Sequence, residues 1–336
     1  MHRCLELAKL GAGKVAPNPM VGAILVYENR IIGEGFHRQY GKAHAEVNCI
    51  NSVNEMDRKF IGLSTLYVSL EPCAHYGKTP PCADLIIANK IPQVIIGCKD
   101  NYEQVNGRGI EKLKAAGIEV VVGVLEKESL ELNKRFFTFY TKHRPYIILK
   151  WAQSNNDKIA NADYSRVLIS NEQANRLVHK WRSEEAAILI GTNTALYDDP
   201  ELSTRLVPGN NPVRLVIDME LKLPESLKLF DGSIKTIAFN KIKHIEEAVF
   251  YYQVGENNID EILTALYQLK IQSIIIEGGA KLLQSFIDAA IWDEARIIAN
   301  SELSIMNGLN APILKSAELI AEESIENNVI KYYNKK

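Results

Sequence analysis

Two patterns of apolar residues alternate along the chain. Short β-branched runs between turn residues read as strands, and apolar positions three or four apart read as helices. Residues 2–12 fit a short helix with Cys4, Leu5 and Ala8 on one face and Gly11 as its stop. The two prolines in Ala16-Pro17-Asn18-Pro19 require a loop. Residues 21–27 and 31–36 flank the turn Glu28-Asn29-Arg30 and predict an antiparallel pair. A helix over about 43–52 places His44 and Glu46 in its first turn. Residues 65–70 form a strand that Pro72 stops, with Cys73 at its C-terminal edge. Pro81 suits a helix start, so Cys82 opens a helix through 89. A strand over 93–97, a helix over 107–116, a strand over 118–122 and one longer helix over 125–142 follow. This alternation predicts an α/β layer with a largely parallel part.

His143-Arg144-Pro145 interrupts the pattern, which then begins again. We place the domain boundary there, giving 1–144 and 145–336. In the second half, strands are expected over 146–150, 186–190, 213–217, 235–239 and 274–277. Helices are expected over 171–182, from 192, over 260–269 and over 280–289, with closing strands over 295–299 and 326–333. The polar, proline-bearing loop 197–212 is of the kind that lines sites.

Composition narrows the classes. Of 336 residues, 46% are hydrophobic and 24% charged, and the net charge is -2, which argues against nucleic acid or an anionic membrane as partner. No apolar run reaches the ~18 residues of a spanning helix, and the first residues lack a signal peptide's apolar core. Five cysteines, an odd number, fit a reducing cytoplasm with thiols free or on metal.

Candidate chemistry concentrates between His44 and Cys82. His44-Ala45-Glu46 is followed by Glu71-Pro72-Cys73-Ala74-His75-Tyr76-Gly77-Lys78-Thr79-Pro80-Pro81-Cys82. One imidazole and two thiols hold a tetrahedral zinc and leave its fourth position open. Glu46, two residues after the imidazole, is expected as general acid/base and not as ligand. The pattern His-x-Glu…Pro-Cys-x-x-Cys marks zinc nucleobase deaminases; here the second thiol comes eight residues late. His75 is either a fourth ligand of a structural zinc, a substrate contact or a solvated loop residue. Asn18 either presents its amide to a base or sugar or simply makes a turn. In the second half, Ile274-Ile275-Ile276-Glu277-Gly278-Gly279 before a helix is either an ordinary tight turn or a phosphate site at the helix start, and it is not a GxGxxG fingerprint. Arg182 and Arg205 each read as a bidentate phosphate clamp or a surface ion pair.

Ala16-Pro17-Asn18-Pro19-Met20-Val21-Gly22, His44-Ala45-Glu46 and the whole segment from Glu71 to Cys82 closely resemble the bifunctional riboflavin-biosynthesis deaminase–reductases. The late second thiol is that family's form. The resemblance implies a cytidine-deaminase-like three-layer α/β domain followed by a dihydrofolate-reductase-like α/β domain. It implies zinc on His44, Cys73 and Cys82, catalysis by Glu46, and NADPH in the second domain. Cofactor positions fall on Gln153, Leu168, Thr194, Asp198 and the segment Gly279, Ala280, Lys281, Leu282, Leu283, Gln284 and Ser285. Substrate positions fall on Ser165, Arg182, Leu202, Arg205 and Glu277, with Asn18 and His75 in the first domain. Many relatives read Ser-Leu-Asp-Gly-Lys where this chain has Ser154-Asn155-Asn156-Asp157-Lys158. The implied substrate is a phosphorylated pyrimidine, with no nucleic acid or membrane partner, and the implied assembly is a homodimer or higher homo-oligomer.

Overall fold

The computed structural model describes residues 1–76, 80–100, 106–255 and 259–336. They divide into two compact units, Met1–His143 and Arg144–Lys336.

The first unit runs α1 (His2–Lys9), β1 (Gly22–Tyr27), β2 (Arg30–Phe36), α2 (Ala45–Asn51), β3 (Thr65–Leu70), α3 (Cys82–Ala88), β4 (Gln93–Cys98), α4 (Arg108–Ala115), β5 (Glu119–Val122), α5 (Glu126–Leu132) and α6 (Lys134–Lys142). Its sheet has the order β2-β1-β3-β4-β5. β1 is antiparallel to β2 and β3, and β3, β4 and β5 are parallel. Leu25, Leu66, Val68, Val94 and Ile96 from the strands pack with Ala45, Cys49, Ile86 and Leu113 from α2, α3 and α4. That packing brings the start of α2 and the start of α3 to one end of the sheet.

Two local expectations are corrected. His44 is the extended residue that precedes α2 and does not lie inside its first turn. The single helix expected over 125–142 is two, α5 and α6, broken at Asn133 with φ -108° and ψ 21°. The break has a cause: the Asn133 side chain accepts from Met20 N–H at 2.8 Å and donates to Met20 C=O at 2.9 Å. This distant peptide sets its backbone, and helical apolar spacing on either side gives no sign of it.

The second unit runs β6 (Tyr146–Gln153), β7 (Lys158–Asn161), α7 (Glu172–Glu184), β8 (Ala187–Gly191), α8 (Thr192–Asp198), β9 (Val213–Ile217), β10 (Thr236–Asn240), β11 (Ile245–Glu246), β12 (Val249–Gln253), α9 (Ile259–Gln268), β13 (Ser273–Glu277), α10 (Ala280–Asp288), β14 (Glu294–Asn300), β15 (Gly308–Asn310), β16 (Ala317–Ile325) and β17 (Asn328–Lys335). Its large sheet has the order β11-β12-β10-β9-β8-β13-β6-β14-β17-β16, parallel from β12 to β14. Such strands are covered on both faces, which explains their unbroken apolar runs. α9 and α10 pack Leu263, Leu266, Leu283 and Phe286 on one face. α7 packs Ala174, Val178 and Trp181 on the other. β7, β11, β12, β15 and β16 are not foreseen in the sequence. β16 lies at the sheet edge with nearly every residue exposed, so neither face needs an apolar set and no alternation marks it.

Candidate functional site

In the first unit the donor atoms of His44, Cys73 and Cys82 all lie within 4.8 Å of one another. His44 Nδ1 stands 3.6 Å from Cys73 Sγ and 3.3 Å from Cys82 Sγ, and the backbone N–H of Cys82 donates to Cys73 Sγ at 3.3 Å. Each donor sits at an element end: His44 before α2, Cys73 after β3, Cys82 as the first residue of α3. The Cys73 thiol is held below its ordinary range, first by its hydrogen bond with Cys82 and then by His44, while Cys82 is raised by the same bond and by burial. His44 is pushed up by Cys73. A thiolate, a thiol and an imidazole converging in this way fit a divalent zinc, which replaces their shared protons.

Glu46 is buried, 3% exposed, and its carboxyl hydrogen-bonds the Cys82 thiol. Burial, then the Cys73 charge, pushes its proton affinity up, and His44 opposes them. It thus lies next to the donors and outside their set. His75 also stands outside the donor set; its Nδ1 is buried without a hydrogen-bond partner among the described residues. Of the motif around it, Gly77, Lys78 and Thr79 lie outside the described residues.

A cavity of about 240 Å³ opens on these groups, with Asn18, His37, Glu46, Cys73 and His75 in its wall. His37 carries no role in the sequence reading. Its Nδ1 is 3.1 Å from the Ala43 carbonyl and its Nε2 is 3.1 Å from Asn18 Nδ2. A carbonyl only accepts, so Nδ1 holds the proton, Nε2 accepts, and Asn18 presents its NH2 to the ring. Burial pushes the His37 pKa down, consistent with a neutral ring.

Glu71 is a second residue whose function the motif alone conceals. Its carboxylate accepts from the backbone N–H groups of Asp100 (3.2 Å), Gly107 (3.0 Å), Gly109 (3.0 Å) and Ile110 (3.3 Å). A Cβ at Gly109 would lie 1.9 Å from the Pro72 carbonyl, so only glycine lets α4 press against the turn that carries Cys73.

In the second unit, β13 and β6 are in register, with Glu277 beside Lys150. Arg182 forks onto Glu277 at 2.9 and 2.7 Å, and Lys150 Nζ reaches it at 3.4 Å. Arg182 is therefore in a largely buried ion pair, and not in the surface pair read as the alternative to a phosphate clamp. Lys150 was not foreseen; a lysine inside the apolar run Tyr146-Ile147-Ile148-Leu149-Lys150-Trp151 is the signal that marks it. Past Glu277 the chain turns through Gly278 and Gly279, with φ 76° and 71°. A Cβ on Gly278 would meet Thr194 Cγ2 at 2.7 Å. The Thr194 side chain and the glycine turn at the start of α10 thus form a close cradle, and a helix start of this kind suits a phosphate.

The remaining predicted positions have contacts of their own. Gln153 bonds Trp151 and Asp157, Ser165 bonds Asp163, Leu168 is exposed, and Asp198 ends α8. Leu202 is buried with φ 52°, while Arg205 is half exposed beside Glu201. Within the segment from Gly279 to Ser285, Leu283 packs in the core and Gln284 accepts from Ile313 N–H. The cradle is thus made by the segment's first residues, with Lys281 and Leu282 in the first turn of α10.

Two family profiles match the chain. One, for the cytidine and deoxycytidylate deaminase zinc-binding region, covers residues 1–98, and the RibD C-terminal domain covers 145–304. The riboflavin biosynthesis protein RibD of Aquifex aeolicus is 41% identical over 87% of this chain and 83% of its own. That of Bacillus amyloliquefaciens is 38% identical over 95% and 87%. Among solved structures, the diaminohydroxyphosphoribosylaminopyrimidine deaminase/5-amino-6-(5-phosphoribosylamino)uracil reductase of Thermotoga maritima superposes with a TM-score of 0.92 at 34% identity, covering 100% of this chain and 97% of its own.

Proposed function

Because the chain belongs to the RibD family of riboflavin-biosynthesis proteins, and is on that ground a bifunctional deaminase and reductase with a zinc-binding deaminase domain, we propose the residues and molecules through which it works. The deaminase site is His44, Cys73, Cys82 and Glu46, within a domain over 1–144. The reductase domain is 145–336. The substrate is 2,5-diamino-6-ribosylamino-4(3H)-pyrimidinone 5′-phosphate, deaminated hydrolytically; NADPH then reduces the ribosyl chain to ribityl, giving 5-amino-6-ribitylamino-uracil 5′-phosphate. The convergence of three donor atoms within 4.8 Å, next to a buried carboxylate, is the observation that carries this reading.

His44, Cys73 and Cys82 would hold zinc, which supplies Lewis acidity and brings the pKa of a water near neutrality. Glu46 takes a proton from the attacking water and returns it to the departing nitrogen, so that ammonia leaves neutral. Asn18, oriented by His37, turns its Oδ1 away from the ring it donates to, free to accept from a pyrimidine amino group. His75 offers its unpartnered Nδ1 to the same substrate.

In the second domain NADPH supplies the hydride. Thr194, Gly279, Ala280 and Lys281 hold its phosphates, and Gln153, Leu168, Asp198 and the rest of α10 to Ser285 border it. Glu277 and Arg182 form a fixed polar floor against the substrate, with Ser165 and Leu202 at its side, and Arg205 meets its phosphate. The same proposal includes a homodimer or higher homo-oligomer. It also includes a reducing cytoplasm, where the two sulfurs stay available to metal. No helix among the described residues is long and apolar enough to cross a membrane.

Product masses test the reading. With the diaminopyrimidinone phosphate alone, the chain should yield the deaminated compound; with NADPH added, the mass should rise by two hydrogens. Reduction without prior deamination, or no loss of the amine, would remove the proposed order.

A further inference from the structure

α7 grips the loop after α8 at two points one helical turn apart. Arg182 Nη1 donates to the Ser203 carbonyl at 3.4 Å. His179 Nδ1 accepts the backbone N–H of Arg205 at 3.1 Å, and the ring is 4% exposed. A backbone N–H can only donate, so this contact requires Nδ1 without a proton. The loop it holds is tied down elsewhere: Leu202 is buried in the core, and Thr204 N–H donates to Asn211 Oδ1 at 2.7 Å. Past these anchors the guanidinium of Arg205 projects, half exposed beside Glu201 and Ser203.

We propose that His179 is a positioning residue of the reductase site, fixing the backbone of Arg205 so that its guanidinium meets the substrate phosphate. The inference rests on the reading of Arg205 as the phosphate contact. A residue two bonds off register would aim the guanidinium elsewhere, because a long side chain magnifies a backbone shift. The ring stays neutral in this role. Burial, and then the charges of Arg182 and Arg205, push its pKa down to about 4, against opposing effects of Glu277 and a hydrogen bond with the Ser203 backbone. His179 acts through the backbone of Arg205, so its effect should appear in binding and not in turnover.

Steady-state reduction should be measured on the deaminated pyrimidine phosphate and on its dephosphorylated counterpart. His179→Leu should raise KM for the phosphorylated compound roughly five- to tenfold, keep kcat, and leave KM for the dephosphorylated compound unchanged. His179→Asn, whose amide oxygen takes the place of Nδ1, should restore it. His179→Leu combined with Arg205→Ala should do no more than Arg205→Ala alone. If Arg205→Ala raises KM and His179→Leu does not, the role of His179 is overturned and the reading of Arg205 survives. If Arg205→Ala has no effect, that reading fails and the inference fails with it. Equal losses on both compounds without rescue by asparagine would reduce His179 to packing and overturn the proposal. Should the leucine variant not fold, His179→Gln, which displaces the acceptor by one carbon, carries the same comparison.

Discussion

A carboxyl group buried beside two sulfurs needs a proton or a cation to be tolerated. Glu46 is in that position: the donors of the metal site lie against it and only 3% of it is exposed. Replacing it with the isosteric amide removes the proton carrier and keeps the shape. Glu46→Gln should therefore retain zinc, measured by metal content, and lower deamination about 10²- to 10⁴-fold; undiminished turnover would take Glu46 out of the mechanism. The three donors that converge here stand out in the sequence because residue type and spacing are covalent facts. His37 and His179 do not, since their partners Asn18, Ala43 and Arg205 come from other parts of the chain and only folding pairs them.

A turn between a strand and a helix holds its place only if its backbone is tied on both sides. Glu71 ties the turn after β3 to the start of α4 through three N–H groups and to Asp100 after β4 through a fourth, and Gly109 lets the two backbones touch. Glu71→Gln turns one acceptor into a donor facing donors. The cost should be about 1–3 kcal/mol for each N–H left unsatisfied, seen as a lower denaturant midpoint for the first unit and faster zinc loss to a chelator. An unchanged zinc off-rate would show that the turn is held by other contacts. Most elements here follow from apolar periodicity, since buried parallel strands and amphipathic helices have no other way to hide their faces. The exceptions have different causes. The break at Asn133 is set by Met20, 113 residues away in the chain, whereas β16 is set by hairpin pairing with the next strand, β17, and its exposed residues carry no apolar alternation to mark it.

Each unit has its own core and its own candidate chemistry, so the two activities should be separable in the intact chain. Stripping zinc with a chelator should abolish deamination and leave reduction of the already deaminated compound within about twofold; parallel loss of both would tie the second site to the metal. Acid should act differently again, through charges in the second unit. All three tryptophans, Trp151, Trp181 and Trp292, lie there, so their fluorescence reports on its unfolding. Burial alone would raise the pKa of Glu277, but the Arg182 and Lys150 charges prevail and hold it at about 2, against an ordinary value of 4.5. Between these values the unfolded chain binds a proton that the native chain refuses, so stability falls as pH drops from 4.5 toward 2. Above 4.5 the contribution is complete. Glu277→Gln should flatten the denaturant midpoint across this window. It should also cost about 3–5 kcal/mol at neutral pH, because two buried cations lose their counter-charge. A midpoint that still falls as steeply in the glutamine variant would mean that other carboxylates carry the acid response.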